Sequence, residues 1–358
     1  MLQFRFGGEE PAAPDRRELA GSARAGSPVV DSPPMPAREA VAAAHPNIAL
    51  VKYWGDRDHA LRIPANSSIS LTLSGLKTET RVGFDPDLDH DQLTINQVPA
   101  EPAALLRVGR QLDLIREIAG LKAGANVHSA TDFPMAAGLA SSAAAFAALT
   151  LAGCAAAGLE LDRRELSALA RRGSGSAARS IFGGFVELVA GAGHEDSFAR
   201  PLAEPEHWSI VDLIVLTDQS PKPTGSTAGH SSAQTSPLQP GRVSDAPRRL
   251  RACREAVLAK DFQRLAEVVE QDSDMMHAIM MTSSPPLHYW QPGSLAVMAV
   301  VRSLRAQGVA VCYTVDAGPN VHCLCLPEAE SSLRDGLAGH SLEFGILRAV
   351  PGPGAWLV

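Results

Sequence analysis

Residues 134–142, PMAAGLASS, run directly into an alanine-rich helix expected to end near residue 157. No other feature constrains the chain more. A loop of Gly and other small residues that feeds a helix leaves backbone N–H groups unpaired beside the positive end of the helix dipole, and both favour an anion. Ser141 and Ser142 add hydroxyls that can donate to a phosphate or ligate Mg²⁺. A blander alternative, an N-capped surface helix whose small residues pack closely, stays open on these residues alone. The loop is not a Walker A loop, because the chain contains no Gly-Lys pair.

Around this element strands and helices are interspersed without strict βαβ repetition, which predicts an α+β fold rather than a dinucleotide-binding sheet. Residues 48–51 predict a short apolar strand, and the strict alternation of 68–73, SISLTL, predicts a half-buried one. Further strands are expected at 78–84, 126–130, 185–189, 210–217, 309–315 and 321–326. Helical spacing marks 105–121, 161–172, 248–281 and 295–307, and residues 218–246 predict a polar loop. Residues 1–42 are rich in Pro, Ala, Gly, Arg and Ser and predict a disordered tail; a translation start at Met35 is the blander account. The tail has no apolar core of a signal peptide, and its acidic residues make a poor transit peptide.

The remaining 43–358 divides, by expectation, into domains at 43–205 and 206–358. A net charge of −7 argues against a nucleic-acid-coating protein but leaves room for a local basic pocket. No run of ~18 apolar residues predicts a membrane span. The five cysteines, few and scattered, read as a reduced, cytoplasmic protein, and Cys323 and Cys325 have strand-core spacing.

Three further segments carry chemistry. Residues 173–179, GSGSAAR, offer two hydroxyls and a guanidinium, the group best shaped for bidentate capture of carboxylate or phosphate. A helix rather than a strand precedes them, so they are not a dinucleotide fingerprint. Residues 47–58, NIALVKYWGDRD, place Lys52 and Tyr53 at a strand end, where Lys52 suits a buried carboxylate or a phosphate. Residues 316–320, DAGPN, lie between two apolar strands. Asp316 there is either a turn starter or a carboxylate facing a cleft.

Together, in this order, these segments resemble the GHMP kinase superfamily, and more closely its mevalonate diphosphate decarboxylase branch. The matching segments are 47–58 with 66–70 (NSSIS), 133–143, 173–184 and 316–320, with a weaker match at His277-Ala278 and Pro285-Pro286. The resemblance implies a GHMP kinase-type fold, with a ribosomal-protein-S5-like N-terminal half, a ferredoxin-like C-terminal half and the active site between them. It implies ATP and Mg²⁺ as cofactors, a phosphorylated mevalonate as substrate and a homodimer. It further implies Asp316 as the catalytic carboxylate, with Lys52 paired to it or to the transferred phosphate. Arg179, Ser174 and Ser176 would hold the substrate carboxylate. Asn47, Tyr53, Arg57, Arg107 and Ser226 would complete the substrate site. Gly138, Ala140, Ser141 and Ser142 would cradle the ATP phosphates, and a serine of the last two would serve the metal. Lys52, Arg57 and Arg179 would make the pocket locally positive.

One departure bears on the substrate. Diphosphate enzymes of this branch carry Lys after KYWG, where this chain has Asp56. At ~5 Å and an effective dielectric of ~20, each unit of charge is worth roughly 3 kcal/mol before screening. The expectation is therefore (R)-5-phosphomevalonate, giving isopentenyl phosphate, with the diphosphate and isopentenyl diphosphate as the alternative. A kinase that does not decarboxylate, and a catalytically dead binding protein, are the other readings. Retention of Lys52, Arg179, the serines and Asp316 argues against the last.

Overall fold

The computed structural model describes residues 38–134, 141–218, 220, 225–339 and 344–358. Its strands are β1 (Arg38–Ala44), β2 (Asn47–Val51), β3 (Asp56–Asp58), β4 (Ile63–Pro64), β5 (Ser68–Ser74), β6 (Thr78–Asp85), β7 (Gln92–Ile95), β8 (Val98–Pro99), β9 (Gly124–Thr131), β10 (Phe185–Leu188), β11 (Ala199–Ala203), β12 (Val211–Leu216), β13 (Val311–Val315), β14 (Val321–Cys325), β15 (Gly345–Pro351) and β16 (Trp356–Leu357). The helices are α1 (Pro102–Ala119), α2 (Ser141–Ala156), α3 (Arg163–Gly173), α4 (Ala177–Ser180), α5 (Ser226–Ser232), α6 (Gln239–Ala259), α7 (Phe262–Thr282), α8 (Pro292–Ala306) and α9 (Glu330–Ala338). This is the expected mixed α+β architecture.

One sheet runs β16-β1-β6-β9-β7-β8, antiparallel except for the parallel β7–β9 pair. In β6 every second residue (Thr78, Thr80, Val82, Phe84) is buried, so one face is free to carry helices. Val82, Phe84 and Val127 of the sheet pack on Leu112 and Ile115 of α1 and on the alanines of α2. Helix α2 has buried residues all around its circumference, as its lack of a polar stripe requires. Helix α3 starts on a reciprocal capping box, the Asp162 side chain taking the Glu165 N–H and Glu165 returning to the Asp162 N–H.

The second sheet runs β11-β10-β5-β15-β12-β14-β13, with β2 also paired to β5. It crosses residue 205, because β5 and β10 join β12, β14 and β15 in one hydrogen-bonded surface. Val211, Leu213 and Val215 face α8 and α9, while Ile214, Cys312 and Leu324 face α6 and α7. With both faces covered, every residue of β12 and β14 is buried, and their polar members Asp212 and His322 meet each other at 2.7 Å. All five cysteines are free and buried, and Cys323 and Cys325 lie in β14 as their spacing suggests. No helix among the described residues is long and apolar enough to cross a membrane.

Several expectations need correction. Residues 38–42 belong to β1, hydrogen-bonded to β6 and β16, so the stretch read as tail ends earlier; residues 1–37 lie outside the described residues. The alternation of β5 is real, but Ser68, Ser70 and Thr72 are buried too, because α4 and the segment after it cover that face. The helix expected over 248–281 is two helices. Lys260 adopts the left-handed conformation (φ 56°) and Asp261 then caps α7 through the Arg264 N–H. The polar segment 218–246 holds α5 and the first turns of α6.

Candidate active site

Lys52 follows β2 directly, and its side chain is 2% exposed. Its Nζ donates to the Ala49 carbonyl at 2.9 Å and to Asp316 Oδ1 at 2.5 Å. Asp316 sits in the turn between β13 and β14, with its side chain 25% exposed. Asp316 opens the turn, as one of its two readings has it, and its carboxylate meets the buried Lys52 ammonium. Burial alone would raise its pKa. Lys52, His322 and Arg179 outweigh that and hold it below the ordinary carboxylate value, so Asp316 is ionised at neutral pH.

Arg179 on α4 is 3% exposed. Its Nε donates to Asn47 Oδ1 at 3.2 Å and its Nη1 to Ser68 Oγ at 2.8 Å. Asn47 is held in turn, its Nδ2 donating to the Ser176 carbonyl (3.0 Å) and Ser180 Oγ (2.8 Å). Among the described residues, both direct partners of the guanidinium are neutral. Burial depresses its pKa, against the opposing pull of Tyr53 and Asp316. A buried cation with only neutral contacts is costly unless an anion completes it. The same loop carries Ser174, whose Oγ lies 3.3 Å from Ser176 Oγ and 3.3 Å from Ser142 Oγ in the first turn of α2. The hydroxyls expected to serve the carboxylate and those expected to serve the phosphates are thus neighbours.

Tyr53 closes another side. Its ring stacks on His230 of α5 with centroids 4.6 Å apart, and His230 also tilts against Trp54 at 4.5 Å. A Cβ on Gly175 would overlap the Tyr53 hydroxyl, so only glycine lets the serine loop approach this phenol. His230 Nδ1 accepts from the Gly55 N–H at 3.1 Å. Burial, then Arg62 and other nearby cations, push its pKa down to about 3, so it is neutral.

The structure brings Lys52, Asp316, Arg179, Asn47, Ser174, Ser176, Ser142 and Tyr53 together. Arg57 is not brought in: it is exposed, and its guanidinium donates to the Gly191 carbonyl in the connection between β10 and β11. The expected cluster of Lys52, Arg57 and Arg179 is therefore corrected to Lys52 and Arg179. Arg62 adds a cation that the motifs did not disclose. It is held by an Nε bond to the Arg172 carbonyl (3.0 Å), and its charge acts on both Tyr53 and His230. Arg107 on α1 lies over the Phe146 ring at 4.9 Å, and a Cβ on Gly173 would overlap that ring. Ser141 opens α2. Gly138 and Ala140, and the side chain of Ser226, lie outside the described residues.

Asp56 does not extend into an open cleft. It is 4% exposed, and its Oδ2 lies 2.9 Å from His59 Nδ1. Burial raises its pKa, against the pull of His59 and Arg62. The carboxylate that the sequence set against a substrate phosphate is thus turned inward, to His59.

The geometry invites comparison with known proteins. Residues 44–199 match the family model described as the diphosphomevalonate decarboxylase-like N-terminal domain, and 212–338 match the mevalonate 5-diphosphate decarboxylase C-terminal domain. The diphosphomevalonate decarboxylase of Candida albicans is 40% identical over 293 residues, 76% of this chain and 80% of that protein. The human protein of the same name is 38% identical over 296 residues, 76% and 73% of the two chains. A solved structure described as MDDEF in complex with MVAPP, AMPPCP and magnesium superposes with a TM-score of 0.86 at 39% identity, covering 90% of this chain and 99% of that one. The mevalonate diphosphate decarboxylase of Staphylococcus aureus gives 0.86 at 37%, covering 90% and 98%.

Proposed function

This chain belongs to the diphosphomevalonate decarboxylase family, and on that premise we propose that it converts (R)-5-diphosphomevalonate and ATP to isopentenyl diphosphate, CO₂, ADP and phosphate. It has the GHMP kinase-type fold and is an ATP-dependent carboxy-lyase acting on a phosphorylated mevalonate. The diphosphate replaces the monophosphate favoured on sequence grounds. Two observations support the change: the names of the relatives, and the buried, His59-held carboxylate of Asp56.

The observation that carries the reading is Arg179, a buried guanidinium whose hydrogen-bond partners among the described residues are neutral, beside an ion pair of Lys52 and Asp316. In this reading Arg179 takes the substrate carboxylate, and Ser174 and Ser176 flank it. Asp316, ionised by its surroundings, accepts a hydrogen bond from the tertiary 3-hydroxyl and takes its proton as that oxygen receives the γ-phosphate. Lys52 neutralises charge between Asp316 and the transferred phosphate. The C3–O bond to the newly phosphorylated oxygen then breaks and phosphate leaves with its electron pair, the electron pair of the C–CO₂⁻ bond becomes the alkene, and CO₂ departs. A tertiary hydroxyl is a poor leaving group and phosphate a good one, which is why phosphorylation comes first. In this reading Tyr53 meets the 5-phosphoryl end, Arg107 keeps the substrate-site role the resemblance implies, and so do Ser226, Gly138 and Ala140, of which the last two would belong to the ATP phosphate loop.

The donor set fits a nucleotide-borne metal. Ser141 and Ser142 offer hard oxygen donors at the start of α2, and no group of three His, Cys, Asp or Glu among the described residues is placed to hold an ion by itself. Bound with ATP, Mg²⁺ would neutralise phosphate charge during transfer.

The test supplies purified protein and Mg-ATP with 5-phosphomevalonate or 5-diphosphomevalonate, and follows CO₂ and ADP. Coupled release of both from the diphosphate is expected. ADP without CO₂ would identify a kinase, preference for the monophosphate would restore the Asp56 argument, and neither product would identify a binding protein.

A further inference from the structure

The reacting pair comes from opposite ends of the sequence, Lys52 after β2 and Asp316 after β13, and a single helix is bonded to the backbone at both. On α7, Asp272 Oδ2 accepts the Lys52 backbone N–H at 2.7 Å. The next residue, Ser273, accepts the Val315 N–H on its Oγ at 3.0 Å, and His277, one turn on, lies with Nε2 at 3.2 Å from the Val315 carbonyl. Val315 immediately precedes Asp316. Asp272, Ser273 and His277 are all buried.

Each grip is itself braced. Arg249 Nε donates to Asp272 Oδ1 at 2.7 Å, and Arg242 Nη2 donates to the Lys52 carbonyl at 2.7 Å, so both backbone polar groups of Lys52 are tied to α6 and α7. Asn66 Nδ2 adds a second bond to that carbonyl at 3.1 Å. Burial pushes the His277 pKa down to about 4, so its imidazole is neutral and its Nε2 can carry the proton donated to Val315. Ser273 and His277, four residues apart, share a helix face, whereas Asp272 lies about 100° around from Ser273. The helix therefore presents one edge to each strand end, and its own rigidity sets their separation.

We propose that Asp272, Ser273 and His277 form a positioning bracket that holds Lys52 and Asp316 in register for the reaction, a role that rests on the reading of those two residues as the reacting pair. None of the three touches the reacting atoms; they act through the backbone at 52 and 315. Nothing in the ion pair requires this. A lysine and an aspartate at a turn can pair across a range of distances. Phosphoryl transfer tolerates much less, since a misplacement of about 1 Å can cost on the order of 10²-fold in rate.

The test compares Ser273→Ala with Leu333→Ala, a core truncation on the far face of the second sheet. Both variants lower the melting temperature. Only Ser273→Ala is expected to lower kcat, by about 10- to 100-fold, with KM for either substrate within about twofold. A second readout is independent of turnover. The chain has five lysines, so [¹³Cε]lysine labelling gives five resonances to follow. In Ser273→Ala, and not in Leu333→Ala, the Lys52 resonance moves towards its position in Asp316→Asn. An unmoved Lys52 resonance, or equal kcat in the two variants, would overturn the bracket. If the unmodified protein releases neither CO₂ nor ADP, the reading of the reaction fails, and the lysine resonances still decide whether α7 sets the pair.

Discussion

Replacing Arg179 with Met separates a binding role from a structural one, because the two predict opposite signs for stability. The guanidinium is buried, its contacts are Asn47 and Ser68, and burial works against its charge. Keeping an unpaired charge out of water costs several kcal/mol even after relaxation, roughly 3 or more. Against that, the variant loses two hydrogen bonds of about 1 kcal/mol each, and leaves Asn47 Oδ1 without its donor at about 1–3 kcal/mol. The terms nearly cancel, so the melting temperature should stay level or rise. Binding should suffer. A desolvated charge pair with a carboxylate is worth about 2–5 kcal/mol, so kcat/KM should fall roughly 30- to 5,000-fold. The assay is a thermal melt with and without 5-diphosphomevalonate at about 100 times the native Kd. That concentration stabilises the native protein by about 2.7 kcal/mol, near 5 °C for a chain of this size. The variant should shift by less than about 2 °C at the same concentration. A variant that melts far lower yet keeps the full ligand-induced shift would refute the reasoning, since Arg179 would then be serving the fold.

Other outcomes follow from the same geometry. Asp316→Asn should lower kcat by about 10²- to 10⁴-fold, and should also lower the melting temperature, because it strips the buried Lys52 of its counter-charge; an unchanged melt would contradict the ion pair as drawn. Gly175→Ala should destabilise by about 1–3 kcal/mol and raise KM, and pairing it with Tyr53→Phe should recover part of the stability, as equilibrium unfolding would register. His230 and His277, held neutral chiefly by burial, have pKa values pushed down to about 3 and about 4. The unfolded chain binds their protons near pH 6.5 and the folded chain does not. Their contribution is therefore full above about pH 6.5 and drains as the pH falls towards 4. Melting temperature should drop between pH 7 and 5, less steeply in His230→Met, and identical slopes would rule His230 out.

What could be read from the residues was the part whose partners are local. The segments at 47–58, 173–184 and 316–320 each close a turn or loop beside a strand or helix, so their composition carries their geometry. Arg62 escaped because its anchor, the Arg172 carbonyl, lies 110 positions away. Asp272 escaped for the same reason, with 220 positions between it and Lys52. The alternation in β5 announced a strand, yet no period of two says whether the polar face meets water or α4. Asp56 misled in a different way. Its charge was legible, but the direction of its side chain, inward to His59, depends on the short β3–β4 hairpin. The break at Lys260 had a readable sign in the Asp261 cap, outweighed by the long apolar periodicity on either side.

The last strands have a consequence for how the chain is made. β15 inserts between β5 and β12, and β16 completes the first sheet by pairing with β1, reinforced by the Val358 N–H to Val41 carbonyl bond at 2.9 Å. Neither sheet can therefore close until nearly all of the chain has left the ribosome. At about 5–20 residues per second, the segment carrying β1, β5 and β6 waits on the order of tens of seconds with open strand edges. Such edges are templates for wrong partners. The demand on chaperones should fall on this nascent interval.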